Sequence, residues 1–299
     1  MMSDRLSPGQ IAQIACLFEV TAQKPGNIHR YRDFQDSHFV DYLLSATAIA
    51  GPLDRAGEIG VGAAILQAVE ATRRVVATNT NLGMILLLAP LAAVPEGMHL
   101  AEGVVSVVRG TTVEDARFVY QAIRLARPAG LGTVAEQDVA GEPTSTLYEA
   151  MRLAGERDLI ARQYVNGYAD VLNNALPALG RLLDEGQSLE TAIIGAFLTL
   201  LASHPDTLIE RKKGREQALE ALRRAQRVLA SGWPAQPESA RHYAELDAWL
   251  RAEGNGRNPG ATADLVAAAL FAALRDGTIT LPRPGGPAGW SEVRTTGRA

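Results

Sequence analysis

The sequence predicts an all-α fold, with one globular multi-helix domain over residues 1–281 and polar clusters at helix ends that form one cleft. Apolar residues recur at helical spacing along most of the chain and make up 47% of its 299 residues, enough for a sizeable core. Alternation typical of strands is confined to residues 104–108 and 278–281. Glycine and proline among polar residues predict a loop break at 129–144, and low apolar content predicts a flexible C-terminal tail at 282–299.

Start and stop signals delimit the helices of the first half. The predicted helices run from Ser7-Pro8 to Lys24-Pro25-Gly26, from Asp36 or Ser37 to Gly51-Pro52, from about Gly60 to Asn79, over 82–94, and from Thr112 to Arg127-Pro128. Thr112 with Asp115 three residues later resembles a capping box. The segment 82–94 is too short to span a bilayer and contains Pro90, so it is interpreted as a buried core helix.

The second half continues the helical pattern with fewer clear boundaries. The predicted helices cover about 157–174, the segment from Ser188 through Leu201, a charged segment that begins at Pro205-Asp206, a short segment that reaches Leu250, and 261–275. Pro177 is expected to interrupt the pattern between the first two of these helices. No repeat at solenoid periods is found.

Composition excludes several classes of protein. The chain has 33 acidic and 29 basic residues and a formal charge of −4, which argues against binding mainly to nucleic acid or to an anionic membrane. Its single cysteine, Cys16, lies in an apolar helical pattern, so a disulfide framework and a thiolate metal site are both excluded. The polar amino terminus does not resemble a secretory signal. We therefore expect a cytoplasmic protein.

Four polar clusters lie where helices are predicted to start or stop. In chain order they are Lys24-Pro25-Gly26-Asn27-Ile28-His29-Arg30, Asn79-Thr80-Asn81, His204-Pro205-Asp206-Thr207 and Asn258-Pro259-Gly260-Ala261-Thr262-Ala263-Asp264. Helix ends leave backbone N–H and C=O groups unpaired, so polar side chains there either cap the helix or hold a charged ligand. Both interpretations are kept for each cluster.

The first and second clusters each have a structural alternative. In the first, basic groups beside Gly26 suit phosphate, while a helix C-cap explains Lys24 and Gly26 equally well. Asn79 and Asn81 offer more polar groups than one N-cap needs, although a cap remains the simpler explanation. Glu70 lies nine residues before Asn79, about 13 Å along a helix axis, so cooperation between them would require a bend.

The third and fourth clusters combine carboxylates with helix starts. Asp206 suits either an N-cap or a Mg²⁺ ligand, and Arg211 follows in the next turns with two lysines that are either phosphate ligands or a solvated face. Asn258 and Gly260 at a helix start would expose N–H groups to an anion. Asp264 suits a phosphate that carries Mg²⁺, or else it complements the helix dipole.

In this order the clusters resemble the triphosphoribosyl-dephospho-CoA synthase family from about residue 17 to residue 274. The matching segments are E-V-T-A-Q-K-P-G-N-I-H-R from Glu19, A-T-N-T-N-L-G from Ala77, D-T from Asp206 with the basic stretch after it, and N-P-G-A-T-A-D-L from Asn258. The resemblance implies an all-helical, Mg²⁺-dependent transferase. In that reaction a triphosphoribosyl group moves from ATP to 3′-dephospho-CoA and adenine is released.

Roles for the candidate residues follow from this resemblance. The expected ligands are small molecules, namely ATP with Mg²⁺ and a phosphorylated acceptor, without nucleic acid or membrane, and the alanine- and leucine-rich helices are compatible with a homodimer. We assign Asp36, Asp206 and Asp264 to the metal; Lys24, Gly26, His29, Arg30, Arg211, Asn258, Gly260 and Thr262 to the nucleotide; and Glu70, Asn79 and Asn81 to catalysis.

The chain also departs from the pattern of the family. Typical members read N-T-H-K-G where this chain has Asn79-Thr80-Asn81-Leu82-Gly83, D-T-N where it has Asp206-Thr207-Leu208, and an aspartate before the arginine where it has His29-Arg30. Two alternatives therefore stay open. One is an ATP-dependent enzyme with a different acceptor in methanopterin or one-carbon cofactor biosynthesis, and the other is a catalytically inactive helical nucleotide-binding protein.

Overall fold

Helices joined by short connections make up the computed structural model, which describes residues 6–128 and 139–281. The helices are α1 Pro8–Thr21, α2 Phe39–Ala48, α3 Ala50–Asp54, α4 Ala56–Ile59, α5 Val61–Val75, α6 Leu82–Ala92, α7 Leu100–Arg109, α8 Val113–Ala126, α9 Leu147–Ala154, α10 Leu159–Asn166, a π-helical segment Asp170–Ala175, α11 Leu176–Asp184, α12 Leu189–Ser203, α13 Thr207–Lys213, α14 Arg215–Ala230, α15 Pro237–Arg251 and α16 Gly260–Arg275. Within these ranges no strand forms, so the all-α prediction is confirmed.

The predicted tail and most of the predicted loop break are not part of this description. Residues 282–299 and 129–138 lie outside the described residues, whereas 139–146 connect to α9 without regular structure. Among the described helices, none is by itself long and apolar enough to cross a bilayer, although α12 and α13, bent by 58°, pass a length and composition test as a pair.

Two helices, α6 and α16, form the centre of the core. Both are buried around nearly their whole circumference, as expected for a helix that is apolar on every face. Alanine fills much of α16, and its small side chains let α1, α6 and α12 pack against it. The prediction of a buried core helix over 82–94 is confirmed by α6, which contains Pro90.

Side-chain caps set the starts of several helices where the sequence predicts them. Ser7 and Thr112 form capping boxes at α1 and α8, and Ser188 caps α12. Asp206 caps α13. Because a cap satisfies N–H groups that have no intrahelical partner, these short local patterns determine where the helices begin.

Several predicted boundaries are wrong. The strand candidate 104–108 is part of α7, because Val104 and Val108 lie four residues apart on its buried face. Residues 278–281 form no strand. α3 continues across Gly51-Pro52, since proline is tolerated in the first turn of a helix. α9, with a capping box from Thr146, was not predicted.

Positive backbone φ angles split two predicted helices, and proline starts another. α10 ends at Gly167, where φ is 67°, and Tyr168 follows with φ 63° before the π-helical segment. Gly214, with φ 87°, separates α13 from α14. Pro177 lies in the first turn of α11 and so begins that helix instead of interrupting one. Left-handed residues end helices by changing the direction of the chain.

Helices α5 and α8 pack side by side and run in the same direction. At their starts the Gly62 N–H donates to Asp115 Oδ1 over 2.7 Å, and a Cβ on Gly62 would clash with the backbone of Asp115. The two helices are nearly equal in length, 15 and 14 residues. Their carboxyl ends therefore lie at the same end of the pair.

Candidate functional site

A cleft of about 510 Å³ opens where the ends of several helices meet. Three of the four clusters line it directly, through Asn27 of the first, Asn79 to Asn81 of the second, and five residues of the fourth, Asn258, Gly260, Ala261, Ala263 and Asp264. The third cluster contributes through the helix that follows it, α13, which supplies Leu208, Arg211 and Lys212. Segments far apart in the chain thus share one cavity large enough for a small-molecule ligand.

Asp264, near the start of α16, presents a carboxylate to this cleft. The carboxylate lies against the start of α6, where a Cβ on Gly83 would clash with Asp264 Oδ2. No donor from the described residues hydrogen-bonds to it. Burial raises the pKa of Asp264 well above its ordinary value, and the negative charge of Glu19 raises it further. Asp264 therefore has an unusually strong affinity for the proton.

Glu19, on α1, lines the same cleft and is paired with Lys24. Its Oε1 lies 2.9 Å from Lys24 Nζ, and both side chains are buried. The ammonium directs its N–H groups to the carbonyl oxygens of Glu19 and Ala22. Burial raises the pKa of Glu19 and lowers that of Lys24, while each charge opposes the shift of the other. Lys24 does not line the cleft, so its placement favours a structural role over the predicted phosphate contact.

The rest of the first cluster is held away from the cleft lining. Gly26 has the predicted positive φ, 71°, but its N–H donates to Asp247 Oδ1 over 2.8 Å. His29 is buried, and burial lowers its pKa to about 4, so the ring is neutral at pH 7. Arg30 pairs with Glu190 at 2.9 Å. None of these three residues lines the cleft, and their placement does not support the predicted phosphate roles.

Asp206 and Thr262 form a buried bond between two helix starts. Asp206 Oδ1 accepts from the N–H groups of Leu208 and Ile209, and Oδ2 accepts from the N–H and the hydroxyl of Thr262, all within 3.0 Å. Burial raises the pKa of Asp206, and these bonds oppose the rise. Neither Asp206 nor Thr262 lines the cleft. The cap interpretation is favoured over a metal ligand at Asp206 and over a nucleotide contact at Thr262.

The second cluster combines structural bonds with exposure to the cleft. Asn79 Oδ1 accepts from the N–H of Leu82 over 3.1 Å and so caps α6. Asn81 Nδ2 donates to Thr72 Oγ1 over 3.2 Å. Both asparagines line the cleft, whereas Glu70, on α5, does not. The structure therefore brings two of the three predicted catalytic residues to the cavity, and it leaves Glu70 outside the lining.

Two basic side chains, Arg211 and Lys212, line the side of the cleft near α13. Arg211 pairs with Asp158 at 2.6 Å, and Lys212 Nζ donates to the Asn255 carbonyl over 3.2 Å. Burial lowers the pKa of Lys212. The Asn255 side chain in turn donates to Asp36. Asp36 therefore lies on the same side of the cleft as Lys212.

The fourth cluster connects the α13 side of the cleft to the first cluster. One lysine of the basic stretch, Lys213, lies outside the cleft. Asn258 Oδ1 accepts from Asn27 Nδ2 over 2.9 Å, and Gly260 lines the cleft at the start of α16. Lys213 pairs with Glu253 at 2.7 Å and does not line the cleft. This placement matches the interpretation of part of the basic stretch as a solvated face.

Four charged lining residues escaped sequence reasoning, whereas Lys212 was left open between a phosphate ligand and a solvated face. Glu19 begins the E-V-T-A segment, so it was within reach. Asp158 is the N-cap of α10, a role that an Asp before an apolar helical run can indicate. Two arginines, Arg73 and Arg127, carry no local signal, because they reach the cleft through the packing of α5 on α8.

The residues present fit a metal bound together with phosphate better than a metal held by protein alone. Among the described residues no group of three or more His, Cys, Asp or Glu side chains is arranged to hold a metal ion. Mg²⁺ is commonly held by one or two carboxylates together with substrate phosphates. Asp36 and Asp264 are lining carboxylates that meet this requirement.

Comparisons with known proteins identify the family of the chain. The family profile described as ATP:dephospho-CoA triphosphoribosyl transferase matches residues 5–281. The chain belongs to this family. A Citrobacter koseri protein named as a 2-(5″-triphosphoribosyl)-3′-dephosphocoenzyme-A synthase is 26% identical over 281 residues, 88% of each chain. A protein of the same name from Pseudomonas savastanoi pv. phaseolicola is 31% identical over 159 residues, 52% of this chain and 53% of its own.

A solved structure supports the same membership of the triphosphoribosyl transferase family. The crystal structure described as a triphosphoribosyl-dephospho-CoA synthase from Archaeoglobus fulgidus superposes with a TM-score of 0.62 at 28% identity, covering 79% of this chain and 99% of that one. The resemblance inferred from the four segments is confirmed. The chain is a transferase of the triphosphoribosyl-dephospho-CoA synthase type, and ATP is a substrate of its family.

Proposed function

We propose that this protein transfers a triphosphoribosyl group from ATP to 3′-dephospho-CoA and releases adenine. Family membership over residues 5–281 supports the class of reaction. The observation that carries the proposal is the carboxylate of Asp264, to which none of the described residues donates a hydrogen bond, in a cleft that also contains cationic side chains from three helices or their ends. Such a cleft combines a proton acceptor with binding groups for phosphates.

The side of the cleft near α13 is the proposed triphosphate site. Arg211 and Lys212 supply positive charge, and the start of α16 at Gly260 and Ala261 adds the positive end of a helix dipole. Hydrogen bonds between ionised groups are stronger than neutral ones, especially where water is partly excluded, as at Lys212. Arg211, Asn258 and Gly260 keep the nucleotide role predicted for them. Lys24, His29 and Arg30 are replaced in that role by Lys212.

Asp36 is the proposed protein ligand for Mg²⁺. It shares Asn255 with Lys212, so a cation held by Asp36 would lie on the triphosphate side of the cleft. When bound, Mg²⁺ would supply positive charge that offsets the triphosphate. Asp264 is then free for proton transfer.

Asp264 is the proposed general base in a substitution at C1′ of the ribose. An acceptor hydroxyl oxygen forms a bond to C1′, the C1′–N9 bond breaks, and adenine leaves with the bonding electron pair and takes up a proton. The hydroxyl proton passes to Asp264. A carboxylate whose pKa is raised accepts a proton more readily than an ordinary one, provided that it is ionised when the acceptor binds.

Adenine release tests this proposal. The protein is incubated with Mg²⁺, ATP and 3′-dephospho-CoA, and adenine is measured by chromatography beside the mass of the product. We expect one adenine for each triphosphoribosylated acceptor, and none when the acceptor is omitted. If wild-type protein releases no adenine with 3′-dephospho-CoA under conditions where ATP binding is demonstrated, the proposed reaction is wrong.

One lining residue favours a second candidate with another phosphorylated acceptor. Leu82 is buried in the cleft wall at a position where similar proteins carry lysine, so the cleft offers one cation fewer there. A different acceptor, such as a one-carbon cofactor precursor, would require fewer charged contacts. Thermal stabilisation by ATP without turnover of 3′-dephospho-CoA would support this candidate, whereas adenine release with 3′-dephospho-CoA would contradict it.

A further inference from the structure

Arg73 and Arg127 lie at the same end of the cleft because α5 and α8 are parallel. The two helices are held together at their starts by the bond between Gly62 and Asp115. Arg73 lies 11 residues after Gly62 and Arg127 lies 12 residues after Asp115, which corresponds to about 17 and 18 Å of helix. Both arginines line the cleft. Packing between two helices therefore brings both side chains to the lining of one cleft.

Within the part of the chain that the structure describes, no carboxylate neutralises these two guanidinium groups. Among residues 6–128 and 139–281, neither makes an ion pair with a carboxylate, whereas Arg211, on α13, is paired with Asp158. Arg73 donates to the Ala77 carbonyl, which occupies part of its five N–H donors. Positive charge is favourable near the carboxyl ends of α5 and α8 because it complements the helix dipoles, which explains in part why both arginines lie there. It does not account for the exposure of both to a shared cavity.

Apolar side chains line the cleft next to Arg127. Ile123 and Ala126, on α8, and Pro128, after it, line this part of the cleft, and Leu86 of α6 also contributes to the lining. Two cations next to an apolar surface suit a ligand that joins a short run of phosphates to an uncharged organic group. Arginine pairs bind phosphate oxygens through several N–H donors in fixed geometry.

We propose that Arg73 and Arg127 form a diphosphate subsite for the acceptor, separate from the triphosphate site at Arg211 and Lys212. The identity of the acceptor rests on the proposed function, since 3′-dephospho-CoA carries one diphosphate between adenosine and an uncharged pantetheine arm. The two basic groups belong to different parts of the fold, because α5 packs on α8 while α13 packs on α14 and α16. The proposal assigns each group to a different substrate.

Calorimetric titration of single variants tests the subsite. Arg73→Gln and Arg127→Gln are titrated with 3′-dephospho-CoA, with inorganic pyrophosphate as a minimal probe, and with MgATP. We expect each substitution to weaken 3′-dephospho-CoA and pyrophosphate binding at least about tenfold, because each removes charge-assisted hydrogen bonds. MgATP binding should change less than about twofold. Arg74→Gln, next to Arg73 on α5 but outside the lining, is the matched control and should change nothing.

The outcomes separate this subsite from the proposed function. If both variants bind pyrophosphate and 3′-dephospho-CoA as wild type does, or if MgATP binding falls as much as acceptor binding, the subsite is wrong. If wild type releases no adenine with 3′-dephospho-CoA, the proposed function fails, while weakened pyrophosphate binding in the variants still supports the subsite. A thermal melt of each variant confirms that it remains folded.

Discussion

At Asp264 the needs of stability and of catalysis conflict. In the unfolded chain this carboxyl has an ordinary pKa, while burial raises its pKa in the folded protein. The folded state therefore binds the proton more tightly, so stability from this group falls as the pH rises above the unfolded pKa, until the pH passes the folded pKa. Above the unfolded pKa the folded protein thus carries a free-energy cost at Asp264 that a side chain unable to ionise would not carry.

Asp264→Asn should separate stability from turnover. Since asparagine cannot ionise, we expect a higher melting temperature than wild type at pH 7 to 8, with a gain that disappears toward pH 4. Adenine release should fall by about a hundredfold or more, the usual scale of losing a general base. Thermal melts across pH and the adenine assay check both effects. Unchanged turnover, or a melting temperature below that of wild type, would contradict the assignment.

Whether a predicted site residue is free to bind a ligand depends largely on partners that lie far away in the sequence. The local pattern identified polar groups at helix ends, but the Asp206 carboxylate accepts hydrogen bonds from Thr262, 56 residues later. The Gly26 N–H donates a hydrogen bond to Asp247, 221 residues later. Lys24 is a closer case, because its partner Glu19 lies only five residues earlier, and a buried ion pair there was missed. Residue type and spacing therefore indicated the kind of chemistry, while packing determined which groups remain free for it.

At the scale of the elements, Gly83 controls how closely α6 and α16 approach each other. Gly83→Ala places a Cβ where Asp264 Oδ2 lies, so we expect the carboxylate to move and adenine release to fall at least about tenfold. Stability should change by no more than about 1 kcal/mol, because alanine is otherwise the better helix former. Turnover and urea unfolding are measured together.

Gly51→Ala is the matched control for this substitution. Gly51 also lies in a helix, α3, where an added Cβ meets nothing within 4 Å. Turnover in this variant should equal that of wild type. If Gly83→Ala is as active as Gly51→Ala, the contact between Gly83 and Asp264 has no catalytic importance.

Helix starts were more predictable than helix ends for a physical reason. A start depends on one side chain that bonds N–H groups two or three residues away, as at Ser7, Thr112 and Ser188. The split at Gly214 depends on a glycine that adopts positive φ, and most glycines in a helical pattern give no sign of doing so. The valines of 104–108 suggested a strand, yet burial of one face in α7 outweighed their β propensity.

At the scale of the whole molecule, Asp206 joins the third cluster to the fourth. Asp206→Ala removes the cap of α13 and leaves Thr262 without its acceptor inside the protein. We expect a loss of about 2–4 kcal/mol in the free energy of unfolding, by urea denaturation. Mg²⁺ binding per folded molecule should be unchanged, since Asp206 does not line the cleft. Weaker Mg²⁺ binding at unchanged stability would restore the metal assignment.

Asp115 influences the geometry of the cleft although it lies at the start of α8, far from the lining residues at the other end of that helix. One of its oxygens completes the capping box with Thr112 and the other accepts from Gly62, so a single carboxylate sets both the start of α8 and its spacing from α5. Arg127 is about 18 Å away along the helix. A substitution at Asp115 would therefore alter the distance between Arg73 and Arg127. Acceptor preference can change in this way without any substitution at a residue that touches substrate.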